Sequence, residues 1–516
     1  MPRGFRVLSL RANRGLAGMP LATIAVLALF AAVVVGTTSC TGAAPHDPPP
    51  PPPVPLAPGT RPPASGTSVL SGAADVIAAD VTTRLFASSP VVVVASQDPT
   101  ADRAAARQAL LAHAPVLLTS VVSAMLRAQV RALDPRDVLA VGIAGNVLAA
   151  QLPGLHVVTN PALLPATKAP APLSHLALLV QPGDSDAGTL AAIATARVAG
   201  AHVIVVRGDD PRADPAAILA LSAIRPQQVL AIGSGFGPAG LLASRIAVAQ
   251  TGVQLPGGGQ VLFPAHLLAA LYGNPGTPSL GALGQQGLQA SIARAKSVAA
   301  AYRSLTRAQV VPAFEIIATV AQAHPGLDGD YSYESPVASL RPWVRQATAA
   351  GLYVILDLQP GRASLLARAK KYRSLLKLPN VGLALDPEWK LAPGQLPLRQ
   401  IGSVSITEVN SVVRWLAGLT ARYRLPQKLL VLHQFQLSMI RNEHRLDARY
   451  DDLAIVIHMD GQGTPGDKRQ TWQTITAAAP AGVFFGWKDF YVKDHPMMGP
   501  RQTINRTPRL SVISYE

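Results

Sequence analysis

Cysteine is almost missing from this chain of 516 residues: Cys40 is the only one. A single cysteine excludes an internal disulfide framework, so any stability must come from an ordinary apolar core. Charge is scarce at 14% of residues and aromatics scarcer at 5%. Acidic residues are the rarest of the charged kind, 29 against 45 Lys+Arg, which leaves a net charge of +16. No lysine and arginine run is interleaved with aromatics, which argues against a nucleic-acid surface. No apolar run reaches the roughly 20 residues that a membrane-spanning helix needs. Histidines never stand as a His-x-His pair, which speaks against a pre-assembled metal site on one strand.

What is present is apolar: 49% of residues are hydrophobic, ample for a sizeable core. The length predicts two or three domains. Arg3, Arg6, Arg11 and Arg14 precede an uninterrupted apolar stretch from Leu21 to Val35, the pattern of a secretory leader over residues 1–40. The stretch ends in Gly36-Thr37-Thr38-Ser39-Cys40, which resembles a bacterial lipobox, Thr37 standing where that motif has an aliphatic residue. The resemblance implies lipidation of Cys40 and an anchor on the outer face of the cell membrane. An uncleaved signal anchor and plain cleavage without lipidation are the alternatives, and all three place the bulk of the chain outside the cytoplasm. Pro48 to Pro53, then Pro55, Pro58, Pro62 and Pro63, predict an extended tether over 41–68.

Residues 69–255 carry a repeat. Leu133-Asp134-Pro135-Arg136-Asp137-Val138-Leu139-Ala140-Val141-Gly142 returns as Ile224-Arg225-Pro226-Gln227-Gln228-Val229-Leu230-Ala231-Ile232-Gly233. Both read as a turn entering a buried strand that ends at glycine. Val91–Val94, Leu176–Val180 and Val203–Val206 add further apolar strands separated by alanine-rich helical segments. Such alternation predicts two duplicated parallel α/β, Rossmann-like units. Val138 to Gly145 and Val229 to Gly237 resemble the strand and glycine turn of cell-wall-binding repeats of the second type, found in secreted Gram-positive proteins. That resemblance implies attachment to a wall polysaccharide or another anionic envelope polymer, which the positive charge suits. Gly235-Phe236-Gly237-Pro238-Ala239-Gly240 also fits a dinucleotide fingerprint, but Thr251 to Gln260 lacks the acidic ribose partner. A tight turn is therefore expected there, and no cofactor.

Residues 256–516 alternate apolar strands with helical periodicity: Leu267–Tyr272, Val310–Ile316, Leu352–Leu358, Val381–Leu385, Lys428–Gln434, Leu453–Met459, Gly482–Trp487 and Leu510–Tyr515. Segments 291–308, 336–350 and 409–423 have helical length and spacing. Eight strands so arranged predict a (β/α)8 TIM barrel, whose active sites lie at the C-terminal strand ends. Those ends hold Tyr272, Glu315, Asp357, Asp386 with Glu388, His433 with Gln434, His458 with Asp460, Trp487 with Lys488, and Glu516. In so acid-poor a chain, polar groups at nearly every strand end are the strongest functional signal.

Carboxylates beside aromatics point to glycoside cleavage, which takes an acid and a second carboxylate. Asp386-Pro387-Glu388 resembles the fourth-strand Asp-x-Glu of chitinase-like barrels, with Ala384 in place of that motif's preceding Asp. The resemblance implies Glu388 as acid and Asp386 as the orienting carboxylate. Asp357, Glu315 or Asp460 is then the second carboxylate, with Tyr272, His433, Gln434, His458, Trp487 and Lys488 binding substrate. Lys488 follows Trp487 where large-clan retaining glycosidases end their seventh strand in a nucleophilic Glu, so that arrangement is not expected. Two alternatives stay open: a non-catalytic glycan-binding lipoprotein, and a metal-dependent hydrolase using His433, His458, Asp357 and Asp460. The Ala-, Arg- and Pro-rich whole resembles uncharacterised actinobacterial lipoproteins that join wall-binding-type repeats to a barrel. Mass spectrometry of the mature N-terminus is expected to find an acylated Cys40; an unmodified or missing cysteine would refute the anchor.

Overall fold

The computed structural model describes residues 54–62, 64–183 and 186–516. Cys40, the leader over 1–40 and most of the expected tether lie outside the described residues. No helix among those described is long and apolar enough to cross a membrane.

The first half holds two four-stranded, all-parallel sheets. One orders its strands Val116–Thr119, Val91–Ser96, Asp137–Val141, His156–Val158. The other runs His202–Val205, Leu176–Val180, Gln228–Ile232, Gly66–Leu70. The recurrent segments Asp137–Val141 and Gln228–Ile232 therefore hold the same third place in their sheets. Strands consecutive along the chain are joined through helices such as Pro99–Leu111 and Pro215–Ile224, as parallel strands require. Each opens on proline with an aspartate, Asp98 or Asp214, accepting from the first free N–H groups.

The expected tether needs correcting from Val54 onward. Gly66–Leu70 is the fourth strand of the second sheet, pairing Gly66 with Gln228 and Leu70 with Ile232. Gly59–Thr60 pairs antiparallel with Phe86–Ser88. The prolines fall outside the Gly66–Leu70 ladder, where a missing N–H costs nothing. The fingerprint glycines form a 3-10 turn at Ser234–Phe236, with Phe236 buried and Gly237 at φ +75°. Asp209 stands against Gly235, facing the loop with an anion where a dinucleotide would bring phosphate.

The second half is a closed barrel of eight parallel strands: β1 His266–Gly273, β2 Gln309–Ala321, β3 Tyr353–Leu358, β4 Val381–Leu385, β5 Lys428–Gln434, β6 Leu453–Met459, β7 Phe484–Asp489 and β8 Leu510–Tyr515. β8 closes the ring on β1, Leu268 opposite Val512. Helices Leu288–Ala300, Val337–Ala349 and Ile406–Arg422 take the three expected helical segments, displaced by a few residues. The last is amphipathic, burying Val409, Val412, Val413 and Leu416 at helical spacing, and Ser405 caps it. The return after β5 is made by short 3-10 turns, Leu437–Met439 and Glu443–Arg445, so the α/β alternation is not uniform.

Inside the barrel, Leu268, Ala270, Val311, Ala313, Ile355, Ala384, Val431 and Val456 form one apolar core, stoppered from below by Leu255, Leu262 and Phe263. Tyr353 is the polar-tipped member, its hydroxyl accepting from the Leu429 N–H (3.1 Å). The same end joins the two halves. Arg212 and Arg245 both donate to Asp451, at 2.6 and 2.8 Å, and the Gln260 N–H donates to the Arg212 carbonyl (2.7 Å). Arg212 is buried, and removing Asp451 would leave its charge with Asp210 alone. Asp451→Ala is expected to cost about 2–3 kcal/mol, the worth of charge-assisted bonds lost at a buried site. Chemical denaturation would check this; an unchanged midpoint would show that the joint does not depend on the cluster.

Candidate active site

A strand sends alternate side chains to opposite faces. Two residues beyond the apolar core, the inward positions become polar: Tyr272 follows Ala270, Glu315 follows Ala313, and Asp357 follows Ile355. Asp386 follows Ala384, His433 follows Val431, and His458 follows Val456. Lys488 on β7 and Glu516 just past β8 complete the ring. All of these except Glu516 are buried.

Above the ring lies a cavity of about 270 Å³ lined by Tyr272, Gln359, Glu388, Trp389, Asp460, Gln462, Lys488, Phe490 and Glu516, among others. The structure thus brings Glu388, Asp460, Tyr272 and Lys488 together at one opening. Asp386 lies against them: one carboxylate oxygen each from Asp386, Glu388 and Asp460 come within 4.8 Å of one another. Glu315, Asp357, His433 and His458 do not line the opening and sit beneath it with no exposed surface.

Two expected substrate contacts are placed elsewhere. Trp487 points outward, packing edge-on against Trp472 (5.7 Å between rings) and donating its Nε1–H to Asp489 (2.8 Å). Gln434 also turns outward and donates to Glu443 (2.8 Å). The reason is register: each adjoins an inward residue, Lys488 or His433, and so belongs to the opposite face. The same rule puts Phe435 and Phe490 on the cavity wall, two positions beyond His433 and Lys488. Lys493 is a further lining residue without any periodic signal in the sequence; it reaches the site by pairing with Glu516 (2.9 Å).

The ring is held by a small number of bonds. Tyr272 donates its hydroxyl proton to Asp357 (2.9 Å), and Lys488 lies 3.4 Å over the Tyr272 ring while pairing with Glu516 (2.8 Å). His433 Nε2 donates to Glu315 (2.9 Å), and its Nδ1 lies 3.2 Å from Asp460. The latter approach is an ion-pair distance off the line of a hydrogen bond. Gly486 on β7 is required by this layer, because a Cβ there would run into the His458 ring.

Burial and mutual repulsion separate the acids. Burial, reinforced by the Asp460 charge, pushes Glu388 up to about 7. Burial, then Glu388 and Asp357, hold Asp386 well above the usual carboxylate range. Asp357 is raised to about 6, mainly by burial. Asp460 goes the other way: burial would raise it, but His433 outweighs that and holds it below its ordinary value. The mouth therefore carries a protonated and an ionised carboxyl side by side at neutral pH, the condition for acid and base roles.

Among the described residues, the acidic group at the mouth able to surround a cation is Asp386, Glu388 and Asp460, not the expected pairing of His433 and His458 with Asp357 and Asp460. His433 already donates Nε2–H to Glu315 and lies with Nδ1 3.2 Å from Asp460. A second acidic trio, Asp328, Asp330 and Glu334, is neutralised by Arg368 and Lys371.

The fold and the site together define a TIM barrel with an acidic, aromatic-walled mouth. No known protein family matches the chain, and no curated protein does. The solved structure of Cwp6 from Clostridium difficile aligns over 57% of this chain and 63% of its own, at 14% identity and a TM-score of 0.28. This chain spans less than two thirds of the length of that protein.

Asp386 tests the electrostatics. Its folded-state pKa lies above the unfolded one, so the unfolded chain releases the proton first as pH rises, and the folded state loses relative stability. Below the ordinary carboxylate range both states keep the proton and the term vanishes. Asp386→Asn is therefore expected to raise the melting temperature at pH 8 by roughly 2 °C or more, with little change near pH 3.5. A lower melting temperature at pH 8 would contradict the assignment.

Proposed function

We propose that the barrel hydrolyses a glycosidic bond, with Glu388 as general acid and Asp460 as the second carboxylate. The observation that carries the reading is the pair itself: Glu388 held protonated to about 7 and Asp460 held ionised, in a cavity walled by Trp389, Phe435 and Phe490. Aromatic faces suit the apolar faces of sugar rings. One carboxylate oxygen of each lies within 4.8 Å of the other, so both can reach a single glycosidic bond.

In this reading Glu388 protonates the leaving oxygen while Asp460 attacks the anomeric carbon. Glu388 then takes a proton from the water that releases the sugar. Asp386 orients Glu388 and the substrate, and Tyr272 and Lys488 line the floor. The second carboxylate thus comes from the end of β6, not β7. The protein is, in this reading, a lipid-anchored envelope protein whose two α/β sheets are duplicated wall-binding units, presenting the barrel to a wall polysaccharide. The cationic balance and the paired positions of Asp137–Val141 and Gln228–Ile232 support that part.

The purified full chain, incubated with a panel of bacterial wall polysaccharides, is expected to release reducing ends. Glu388→Gln should lower kcat about 10²–10⁴-fold, the usual share of a general acid. Activity should fall as pH rises through about 7, where Glu388 loses its proton. Binding without release in both forms would favour a glycan-binding scaffold. Release abolished by a chelator would favour a cation held by Asp386, Glu388 and Asp460.

A further inference from the structure

His433 occupies a place that neither substrate contact nor packing explains. It sits on β5, Glu315 on β2, and the two meet across the interior of the barrel with no exposed side-chain surface on either. Nε2 donates to Glu315 at 2.9 Å while Nδ1 lies 3.2 Å from Asp460, which alone of the three reaches the cavity. A neutral imidazole carries one N–H and one lone pair, and the lone pair would then face a buried carboxylate. The imidazolium instead donates to Glu315 and sets positive charge 3.2 Å from the Asp460 carboxylate.

The surroundings are consistent with a cation here. The His458 ring stands 5.0 Å away on β6, and burial together with the His433 charge drives it well below its ordinary value. The Tyr272 ring lies 6.2 Å away on β1. Asp357 on β3, Asp386 at the end of β4 and Glu388 beyond it all feel His433 as a positive neighbour, and Lys488 on β7 is the other cation facing Asp460.

We propose that Glu315, His433 and Asp460 form a buried relay in which His433 is a permanently charged positioning residue. It makes Asp460, rather than Asp386 or Glu388, the carboxylate that faces substrate as an anion, and Glu315 accepts the Nε2–H bond from below. Without it the three acids at the mouth would share their protons, and no acid–nucleophile pair would be defined. Glu315, one of the candidate second carboxylates, thereby acts through His433 and never touches substrate. The catalytic consequence rests on the glycoside reading; the charge state does not.

The test separates the two. The full chain labelled with ¹⁵N-histidine has 11 histidines, and the His433 signals are those missing from His433→Asn. At pH 8 both ring nitrogens of His433 should still be protonated. In Glu315→Gln one of them should release its proton between pH 6 and 8, and in Asp460→Asn likewise, which serves if the first variant does not fold. A neutral His433 at pH 8 in the native chain, or an imidazolium that survives both substitutions, overturns the relay. Where hydrolysis is measured, Glu315→Gln should move the acidic limb of the rate profile upward and lower kcat at least tenfold, with KM within about twofold. A native imidazolium lost in these variants, in a chain that cleaves no glycan, keeps the relay and overturns the hydrolytic reading instead.

Discussion

A strand in a closed barrel must send every second side chain into an interior sealed at one end and open at the other. That constraint organises the barrel half of this molecule. Most strands spend their lower inward positions on Leu, Val, Ile or Ala, with Tyr353 and Phe484 as the aromatic members, and their uppermost on a polar or charged group. Leu262 and Phe263 pack against the lower core, and the cavity opens at the other end, above the polar layer. Everything unusual about its ionisation follows from that geometry.

A low-dielectric ring holding Glu315, Asp357, Asp386, Asp460 and Glu516 cannot ionise throughout. The structure meets the repulsion in two ways. Lys488 and His433 neutralise some carboxylates, Glu516 and Asp460 among them; Asp386 and Glu388, lacking a cation of their own, retain protons instead. The outcome is a division of labour among chemically identical groups, decided by which acid stands beside a cation. Lys493 takes part from outside by pairing with Glu516, which leaves Lys488 held between that carboxylate and the Tyr272 ring.

The N-terminal half obeys a different requirement. A parallel sheet cannot take its fourth strand from an adjacent hairpin, and the second sheet draws it from the start of the described chain, Gly66–Leu70 against Gln228–Ile232. That exchange ties both ends of the half together before the chain enters the barrel. The Asp451 cluster then fixes the junction with two arginines from one half and one aspartate from the other. Charges used structurally here are the same scarce kind gathered at the mouth.

The eight barrel strands, their order and the polar character of their ends were legible in the sequence alone, because apolar runs bounded by polar strand ends survive without knowledge of partners. Glu388, Asp386 and Tyr272 could be named for the same reason. Trp487 and Gln434 could not be assigned a face, since strand ends shift by a residue or two and each such shift reverses inside and outside. The strand at Gly66–Leu70 stayed hidden because its partner lies far along the chain and proline composition spoke louder than pattern. Which carboxylate keeps its proton was decided only in three dimensions. The sequence determines which charges exist; their ionisation depends on distances across the barrel between strands that are remote in the chain.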